Sequence, residues 1–262
     1  MKFAEIKIIL YKKVKKMADL EQLDENERLQ YAEFRKKLNL QAAEAQAGKL
    51  EYNLTDVTVT DAMLRRACKD ANDLKLGAIC VLPCLVRLCA VLLGANPDTS
   101  LIACVSFPHG GDTLDSKVTL IKNAVRDGVD EIEVTAPLTY IKDGNWGYVK
   151  REFKVLKRAA KKRTLRINIE CSLLTPQEIN KVCTIAADCG ITSLRSGSGA
   201  FGGGFDAQAI AAMKNAVKDR CTVKADGITT FGEMQTAIDM GAGIVGSKNA
   251  PDIARIIKQV SE

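Results

Sequence analysis

Three charged side chains stand in short apolar runs, where a charge is costly unless it is paired. Glu133, Arg195 and Lys224 each occupy such a run. A lysine amine becomes a nucleophile once it has lost its proton, whereas a guanidinium stays protonated at physiological pH and attacks no carbonyl. A carboxylate beside them can transfer protons. Three such residues in similar places predict one shared polar site.

From residue 51 onwards, short apolar runs alternate with longer helical segments. Thr60 and Thr175 indicate helix starts, and Gly128 indicates a helix end. Eight runs and about eight helices predict an α/β fold, a (β/α)8 TIM barrel over residues 51–262. An open doubly wound sheet is the alternative, but no Gly-x-Gly-x-x-Gly follows the first run. The predicted strands are 51–55, 77–82, 100–107, 129–134, 164–170, 190–195, 221–225 and 242–246.

Residues 1–50 predict a helical N-terminal extension. They contain no proline, and no glycine before Gly48, and are rich in Lys, Glu, Leu, Ala and Gln. We expect two or more helices that pack on the barrel or on a partner subunit. A basic helix lying on a membrane surface is the alternative for residues 1–17.

Composition excludes several classes of function. The net charge of +6 is spread along the chain. Its densest basic runs, 12–16 and 161–163, are typical of solvated helix ends, and no nucleic-acid motif accompanies them. No run of about 18 apolar residues is present, which predicts no membrane span. We therefore expect neither nucleic acid nor membrane as a partner.

Cysteine usage points to a reducing compartment. The nine cysteines are an odd number, and most lie in apolar runs, where a reduced thiol behaves as a small hydrophobe. Without a visible secretory signal, the cytoplasm is the expected location. Cys80 and Cys84 form a weak metal-pair signal, but the chain has one histidine, His109, and no Cys-x-x-Cys. We expect no metal.

In a barrel of this kind, functional groups lie at the C-terminal ends of the strands and in the loops that follow. Alternate residues of each strand point inwards. Glu133, Arg195 and Lys224 would then face a single barrel mouth. The structural alternative is a buried Arg195–Glu133 ion pair that only fills the barrel.

The ordered strand ends resemble those of the deoxyribose-phosphate aldolase family. The resemblance implies a class I aldolase that reversibly joins acetaldehyde to glyceraldehyde 3-phosphate without metal or cofactor. One lysine would form a Schiff base, a second would lower its pKa, and a strand-four aspartate would move protons. The matching segments, in family order, are 79–83, 105–110, 130–134, 142–149, 169–175 and 223–228.

The same resemblance exposes departures in the reacting groups. Lys224 matches the second lysine, but Arg195 stands where the imine lysine is expected. Glu133 replaces the strand-four aspartate, and Asn53 replaces an aspartate of the first strand. After the seventh strand, Asp226 brings a negative charge to the region where phosphate oxygens would lie.

The phosphate site is also altered, because the family's lysine after strand six is Ala200. Backbone N–H groups can still cradle an anion, and Lys248 can restore a positive charge or serve only as a surface lysine. The expected ligand is a small phosphorylated aldehyde or sugar. The predicted substrate- or phosphate-binding residues are Ser198, Gly199, Gly227, Gly246, Ser247 and Lys248.

Three hypotheses follow. In the first, aldol cleavage is altered or weakened, Lys224 is the nucleophile with its pKa depressed by Arg195, and Glu133 moves protons. In the second, the chain is an inactive paralogue that binds a ligand or serves as a structural subunit in a homo-oligomer or beside an active relative. In the third, these residues and Glu170 polarise a carboxylate or enolate without a covalent step.

Overall fold

The computed structural model describes residues 25–95 and 98–260. Eight parallel strands pair in chain order and close into a barrel, β1 pairing with both β2 and β8. The predicted (β/α)8 TIM barrel is therefore confirmed. The strands are β1 Leu50–Leu54, β2 Ala78–Val81, β3 Ser100–Val105, β4 Glu131–Thr135, β5 Thr164–Asn168, β6 Ser193–Arg195, β7 Thr222–Ala225 and β8 Ile244–Ser247.

Helices connect consecutive strands and surround the barrel, and one further helix precedes β1. Short 3-10 turns at Pro83–Leu85 and Cys171–Leu173 follow β2 and β5. The α-helices are α1 Glu25–Ala47, α2 Asp61–Leu74, α3 Val86–Leu93, α4 Leu114–Asp127, α5 Leu138–Lys142, α6 Trp146–Ala159, α7 Pro176–Asp188, α8 Ala207–Val217, α9 Phe231–Asp239 and α10 Ala250–Gln259.

The helix boundaries follow local side-chain chemistry, as the sequence predicts. Thr60 accepts a hydrogen bond from the Met63 amide and caps α2. Thr175 and Glu178 form a capping box at α7, whose first residue is Pro176. Gly128 ends α4 in the left-handed region, which a residue without a Cβ adopts at little cost.

The main hydrophobic core lies between the outer face of the sheet and the helices. The barrel interior is divided. Its β2–β3 side is apolar and carries Ala78, Cys80, Ile102 and Cys104, with Phe107 above them. Strands β1, β4, β5, β6 and β7 supply charged side chains, so the polar groups of the mouth face an apolar wall.

Helix α1 covers the place where the barrel closes. It packs on α10, buries Ala43 and Ala47, and joins α2's C-terminal end through an ion pair of 2.9 Å between Lys75 and Glu44. Residues 1–24, including the basic run 12–16, lie outside the described residues. The division of the chain at residue 50 stays a prediction.

Two observations bear on the basic runs and on the apolar character of the helices. The run 161–163 follows α6 in an exposed turn, with Lys161 and Lys162 open to solvent. None of the helices within residues 25–95 and 98–260 combines the length and apolar character needed to cross a bilayer.

Candidate functional site in the barrel mouth

Strand register brings the three predicted residues together. Lys224 of β7 lies opposite Arg195 of β6, and Glu133 of β4 lies opposite Cys104 of β3. All three charged side chains are fully buried. Their shared location is thus a feature of the fold, while their catalytic roles stay a prediction.

Glu133 is the centre of the arrangement. Its Oε1 accepts a hydrogen bond from Arg195 Nη1, and its Oε2 lies 3.4 Å from Arg166 Nη1 and 3.5 Å from Lys224 Nζ. Burial alone would raise the pKa of Glu133, but the charges of Arg195, Lys224 and Arg166 outweigh it and hold the pKa far below its ordinary value. Glu133 is consequently an anion at any physiological pH and has no proton to donate.

Lys224 is held as an ammonium. Its Nζ lies 2.6 Å from Glu51 Oε2 and 3.5 Å from Asp226 Oδ2, and it donates to Asn53 Oδ1 at 3.1 Å. Burial lowers the pKa of Lys224 and so does Arg195, but the carboxylates of Glu133 and Glu51 outweigh both and raise it above its ordinary value. The expectation of a depressed pKa is therefore wrong, although the direction of the Arg195 effect is right.

Arg195 spans the mouth from β6 towards β3. Its Nε donates to the Gly197 carbonyl at 2.7 Å and lies 2.9 Å from Asp226 Oδ2, and its guanidinium carbon stands 5.7 Å from the centre of the Phe107 ring. Burial opposes its charge, but Asp226 and Glu133 raise the pKa of Arg195 well above its ordinary value. Nη2 has no hydrogen-bond partner among the described residues.

The cluster contains buried members that the sequence analysis did not single out. Glu51 and Arg166 are both buried, and they pair at 2.8 Å. The signal for them was present, since each stands in an apolar run two residues before an inward-facing asparagine, Asn53 or Asn168. We call this cluster the mouth network: Glu51, Glu133, Arg166, Arg195, Lys224 and Asp226.

Asp226 neutralises the cations of the network. Its carboxylate turns into the barrel, where both oxygens accept from Asn53 Nδ2 at 3.0 and 2.9 Å. Arg195 and Lys224 outweigh burial and lower the pKa of Asp226. Three cations therefore face three buried carboxylates within the mouth network, and the partly buried Glu131 adds a fourth carboxylate 3.2 Å from Arg166 Nη2.

Gly246 of β8 gives the network its space. A Cβ on Gly246 would collide with the Asp226 carboxylate, Lys224 Cε and Asn53 Nδ2. The predicted role of Gly246 was contact with a phosphate group. The structure instead places the Lys224 stem against it, so a side chain at 246 would displace the ammonium.

Glu170 organises the glycine-rich loop that follows β6. Its backbone is left-handed, with φ 59°, and its carboxylate accepts from the Ser198 amide at 3.0 and 2.9 Å and from Asn168 Nδ2 at 2.9 Å. The Ser198 amide, predicted to contact a phosphate group, is therefore already bonded within the protein.

The other predicted phosphate-binding residues separate into two groups. Ser247 Oγ donates to the Ile228 carbonyl at 2.6 Å and accepts from the Asn249 amide at 2.9 Å. The Lys248 side chain is 64% exposed and lies 3.8 Å from Asp56. Only Gly199 and Gly227 border the same cavity, so the six residues do not converge on one point.

That cavity has a volume of about 250 Å³ and is called the loop cavity below. It lies between the loops that follow β6 and β7. Its lining includes three acids and, among the residues that the structure describes, no lysine, arginine or histidine. The lining includes Glu170, Ser196, Gly197, Gly204, Asp206 and Asp226.

One group of side chains has the spacing of a metal site. The ligand atoms of Cys80, Cys104 and Glu133 lie within 4.8 Å of one another. Burial raises the pKa of the Cys104 thiol well above its ordinary value, and Glu133 already bonds to cations. This arrangement disfavours a metal cation, and the expectation that the protein uses none stays a prediction.

Comparisons with known proteins agree with the architecture. A search of family models found no match. Deoxyribose-phosphate aldolase 1 of Cutibacterium acnes is 31% identical over 203 residues, covering 77% of this chain and 93% of that protein. The deoxyribose-phosphate aldolase of Clostridium botulinum, strain Loch Maree, is 31% identical over 209 residues, covering 79% and 97%.

Solved structures show the same fold. The deoxyribose phosphate aldolase of Aeropyrum pernix, described as a unique tetramer, superposes with a TM-score of 0.75 at 19% identity, covering 86% of this chain and 96% of that one. An aldolase designated QR15 gives 0.78 at 22% identity, covering 81% and 96%. With sequence similarity over most of its length and this barrel, the chain belongs to the deoxyribose-phosphate aldolase family.

Proposed function

We propose that this chain is a member of the aldolase family that binds a small aldehyde or sugar at the barrel mouth without forming a Schiff base. Aldol cleavage is then absent or greatly weakened. The observation that supports this most is the mouth network, in which both candidate nitrogens are bonded to carboxylates. An imine needs a neutral amine.

Arg195 carries the first half of the argument. A guanidinium does not lose its proton in a protein, and here Glu133 and Asp226 stabilise its charge further. Any substrate carbonyl that reached it would be polarised by hydrogen bonds rather than attacked.

Lys224 carries the second half. It is the only lysine of the mouth network, but its raised pKa leaves a very small neutral fraction at pH 7. Attack would first require a proton to leave towards a carboxylate whose own pKa is lowered. That transfer is uphill at both ends.

Reductive trapping tests this directly. The chain is incubated with 2-deoxyribose 5-phosphate or acetaldehyde and borohydride, and adducts are located by peptide mass mapping. We expect none on Lys224. The Lys224→Met variant is the control, because adducts that persist in it arise from surface lysines. A stoichiometric adduct on Lys224, together with cleavage above background, would refute the proposal.

A graded series tests the role of the carboxylates. In Arg195→Lys, the new amine still faces Glu133 and Asp226, so we expect little recovery of cleavage. In Arg195→Lys with Asp226→Ala, one carboxylate is removed and adduct yield should rise. Full recovery in Arg195→Lys alone would show that the network does not suppress the amine.

A relocated nucleophile is the second candidate function. It is favoured by one observation: the Lys224 amine lies inside the mouth, with Glu133 Oε2 3.5 Å away to take a proton. The same trapping experiment separates the two candidates, since only this one requires an adduct that disappears in Lys224→Met.

Assembly and compartment complete the proposal. We propose that the chain forms a homo-oligomer or joins an active relative as a subunit. Exposed Val57, Val91 and Val260 and the tetramer reported for the Aeropyrum pernix aldolase support this. Light scattering of the purified chain at several concentrations tests it, and a monomer at all of them argues against the homo-oligomer.

The nine free cysteines support a reducing compartment such as the cytoplasm.

A further inference from the structure

We infer that the loop cavity takes an uncharged, unphosphorylated hydroxy-carbonyl compound, such as a free short sugar, and discriminates against its phosphate ester. This rests on the proposed ligand-binding function and specifies its substrate class. Two independent features carry it: the internal use of three groups that could bind an anion, and buried unpaired polar atoms on residues that bond to the acidic lining of the cavity.

Three groups that could bind phosphate are already bonded within the protein. The Ser198 amide bonds to the Glu170 carboxylate, and the Ser247 hydroxyl bonds to backbone on both sides. The N-terminus of α8, another natural anion site, is capped by Asp206, whose carboxylate accepts from the Gln208 and Ala209 amides at 2.9 and 3.0 Å. A phosphate group would have to displace a carboxylate from the Ser198 amide and from the α8 amides, and a backbone partner from the Ser247 hydroxyl.

The charges around the loop cavity also oppose an anion. Glu170, Asp206 and Asp226 border it, and no cation among the described residues does. The network beneath has equal numbers of buried cations and carboxylates, so it offers no excess positive charge. Carboxylates do, however, accept hydrogen bonds from hydroxyl groups, which a sugar supplies.

Two unpaired buried atoms belong to residues that bond to the carboxylates lining the loop cavity. Arg195 Nη2 and Asn168 Oδ1 have no hydrogen-bond partner within the described residues, although both residues are fully buried. Asn168 bonds to Glu170, and Arg195 to Asp226. Because Asn168 donates to a carboxylate through its Nδ2, the unpaired atom of its amide is the oxygen.

The two unpaired atoms need opposite kinds of hydrogen-bond partner. Arg195 Nη2 needs an acceptor and Asn168 Oδ1 needs a donor, and a buried polar group left unpaired is costly. A ligand carbonyl oxygen that reached Nη2 and a ligand hydroxyl that reached Oδ1 would satisfy both. The cavity, at about 250 Å³, is below the range of sites for drug-sized ligands, which suits a short sugar.

Calorimetric titration of the full chain with 2-deoxyribose and with 2-deoxyribose 5-phosphate tests the inference, because the two probes differ only in the phosphate group. We expect the free sugar to bind at least about tenfold more tightly, and inorganic phosphate not to compete with it. Asn168→Ala should weaken binding of the free sugar severalfold, with its folding checked by thermal unfolding.

A matched pair of variants isolates the charge. Asp206→Asn removes a negative charge from the cavity but keeps a residue that caps helices well, so discrimination against the phosphate ester should narrow. Asp219→Asn is the control, since Asp219 is fully exposed and does not border the loop cavity. It removes the same charge elsewhere and should leave the ratio of the two affinities unchanged.

The outcomes separate this inference from the proposed function. Equal or tighter binding of the phosphate ester overturns the inference and leaves ligand binding intact, as does an affinity ratio that responds alike to both charge variants. Free-sugar binding that is indifferent to Asn168→Ala removes the role of the unpaired atoms. If neither sugar binds, the proposed binding function fails, and the inference fails with it.

Discussion

Two buried ion systems in this barrel differ in connectivity. Between α4 and α6, Lys117 and Glu152 form a single pair at 2.7 Å with both side chains almost completely buried. In the mouth, Glu133 alone faces three cations. The helix pair can be removed as a unit without leaving a charge behind, whereas removing any one pair from the mouth network leaves other members without one of their partners. The Lys117–Glu152 pair thus contributes to helix packing, whereas the charges of the mouth network determine the protonation states of its members.

Of the substitutions considered, removal of the Glu133 charge should lower the free energy of unfolding most. Glu133→Gln leaves Arg166, Arg195 and Lys224 with two buried carboxylates, and we expect the free energy of unfolding to fall by about 4 kcal/mol. Urea denaturation measures it. Glu133→Gln with Arg195→Met restores the balance of charge and should recover part of the loss; no recovery would mean that packing, not charge balance, governs the mouth.

The helix pair provides the contrasting case. Lys117→Met leaves the buried Glu152 carboxylate without its partner and should lower the free energy of unfolding by about 3 kcal/mol. In Lys117→Met with Glu152→Leu, the free energy of unfolding should lie within about 1 kcal/mol of the parent value. The same denaturation experiment measures both. If the double variant is as unstable as the single one, the pair is not an independent unit and the contrast fails.

The stability of the protein should depend on pH because three carboxylates of the mouth network bind protons less readily in the folded state than in the unfolded state. Glu51, Glu133 and Asp226 have lowered pKa values in the folded protein. Their stabilisation is therefore complete above the unfolded values near 4 and is lost as the pH falls towards the folded ones. The free energy of unfolding should decline below about pH 5. In Glu133→Gln the free energy of unfolding should fall less steeply with pH, by about 1.4 kcal/mol per pH unit, because one proton fewer is taken up on unfolding. Identical slopes in the two proteins would show that protonation of Glu133 is not coupled to unfolding.

Lys248 should give the smallest effect. Its exposed side chain and the 3.8 Å distance to Asp56 predict that Lys248→Ala changes the free energy of unfolding by less than about 0.5 kcal/mol. Sugar binding should also be unchanged. A large loss of affinity for the phosphate ester in this variant would place Lys248 in a binding site that the loop cavity does not include.

Much of the fold could be predicted because each strand–helix unit carries its own boundary signals. Thr60, Thr175 and Gly128 mark helix ends through local hydrogen bonds and backbone conformation alone. Strand ends were less accurate. The fifth strand was predicted to reach residue 170 but ends at Asn168, because Glu170 turns into the left-handed region to bond the next loop.

The site was only partly predictable. Alternation along the strands identified Glu133, Arg195 and Lys224 as inward-facing. The protonation of Lys224, however, depends on its distances to Glu51 and Glu133, which come from strands far from β7 in the chain. The phosphate-site prediction treated backbone amides as available, and no sequence pattern showed that Glu170 and Asp206 would occupy them.

The pairing of β1 with β8 has a consequence for how the chain is made. One edge of β1 stays without its neighbour until the last strand has left the ribosome, on the order of ten seconds later. During that interval α1 also has no α10 on which to pack. An unpaired edge can join other chains, so nascent molecules of this protein should depend on chaperones until synthesis is complete.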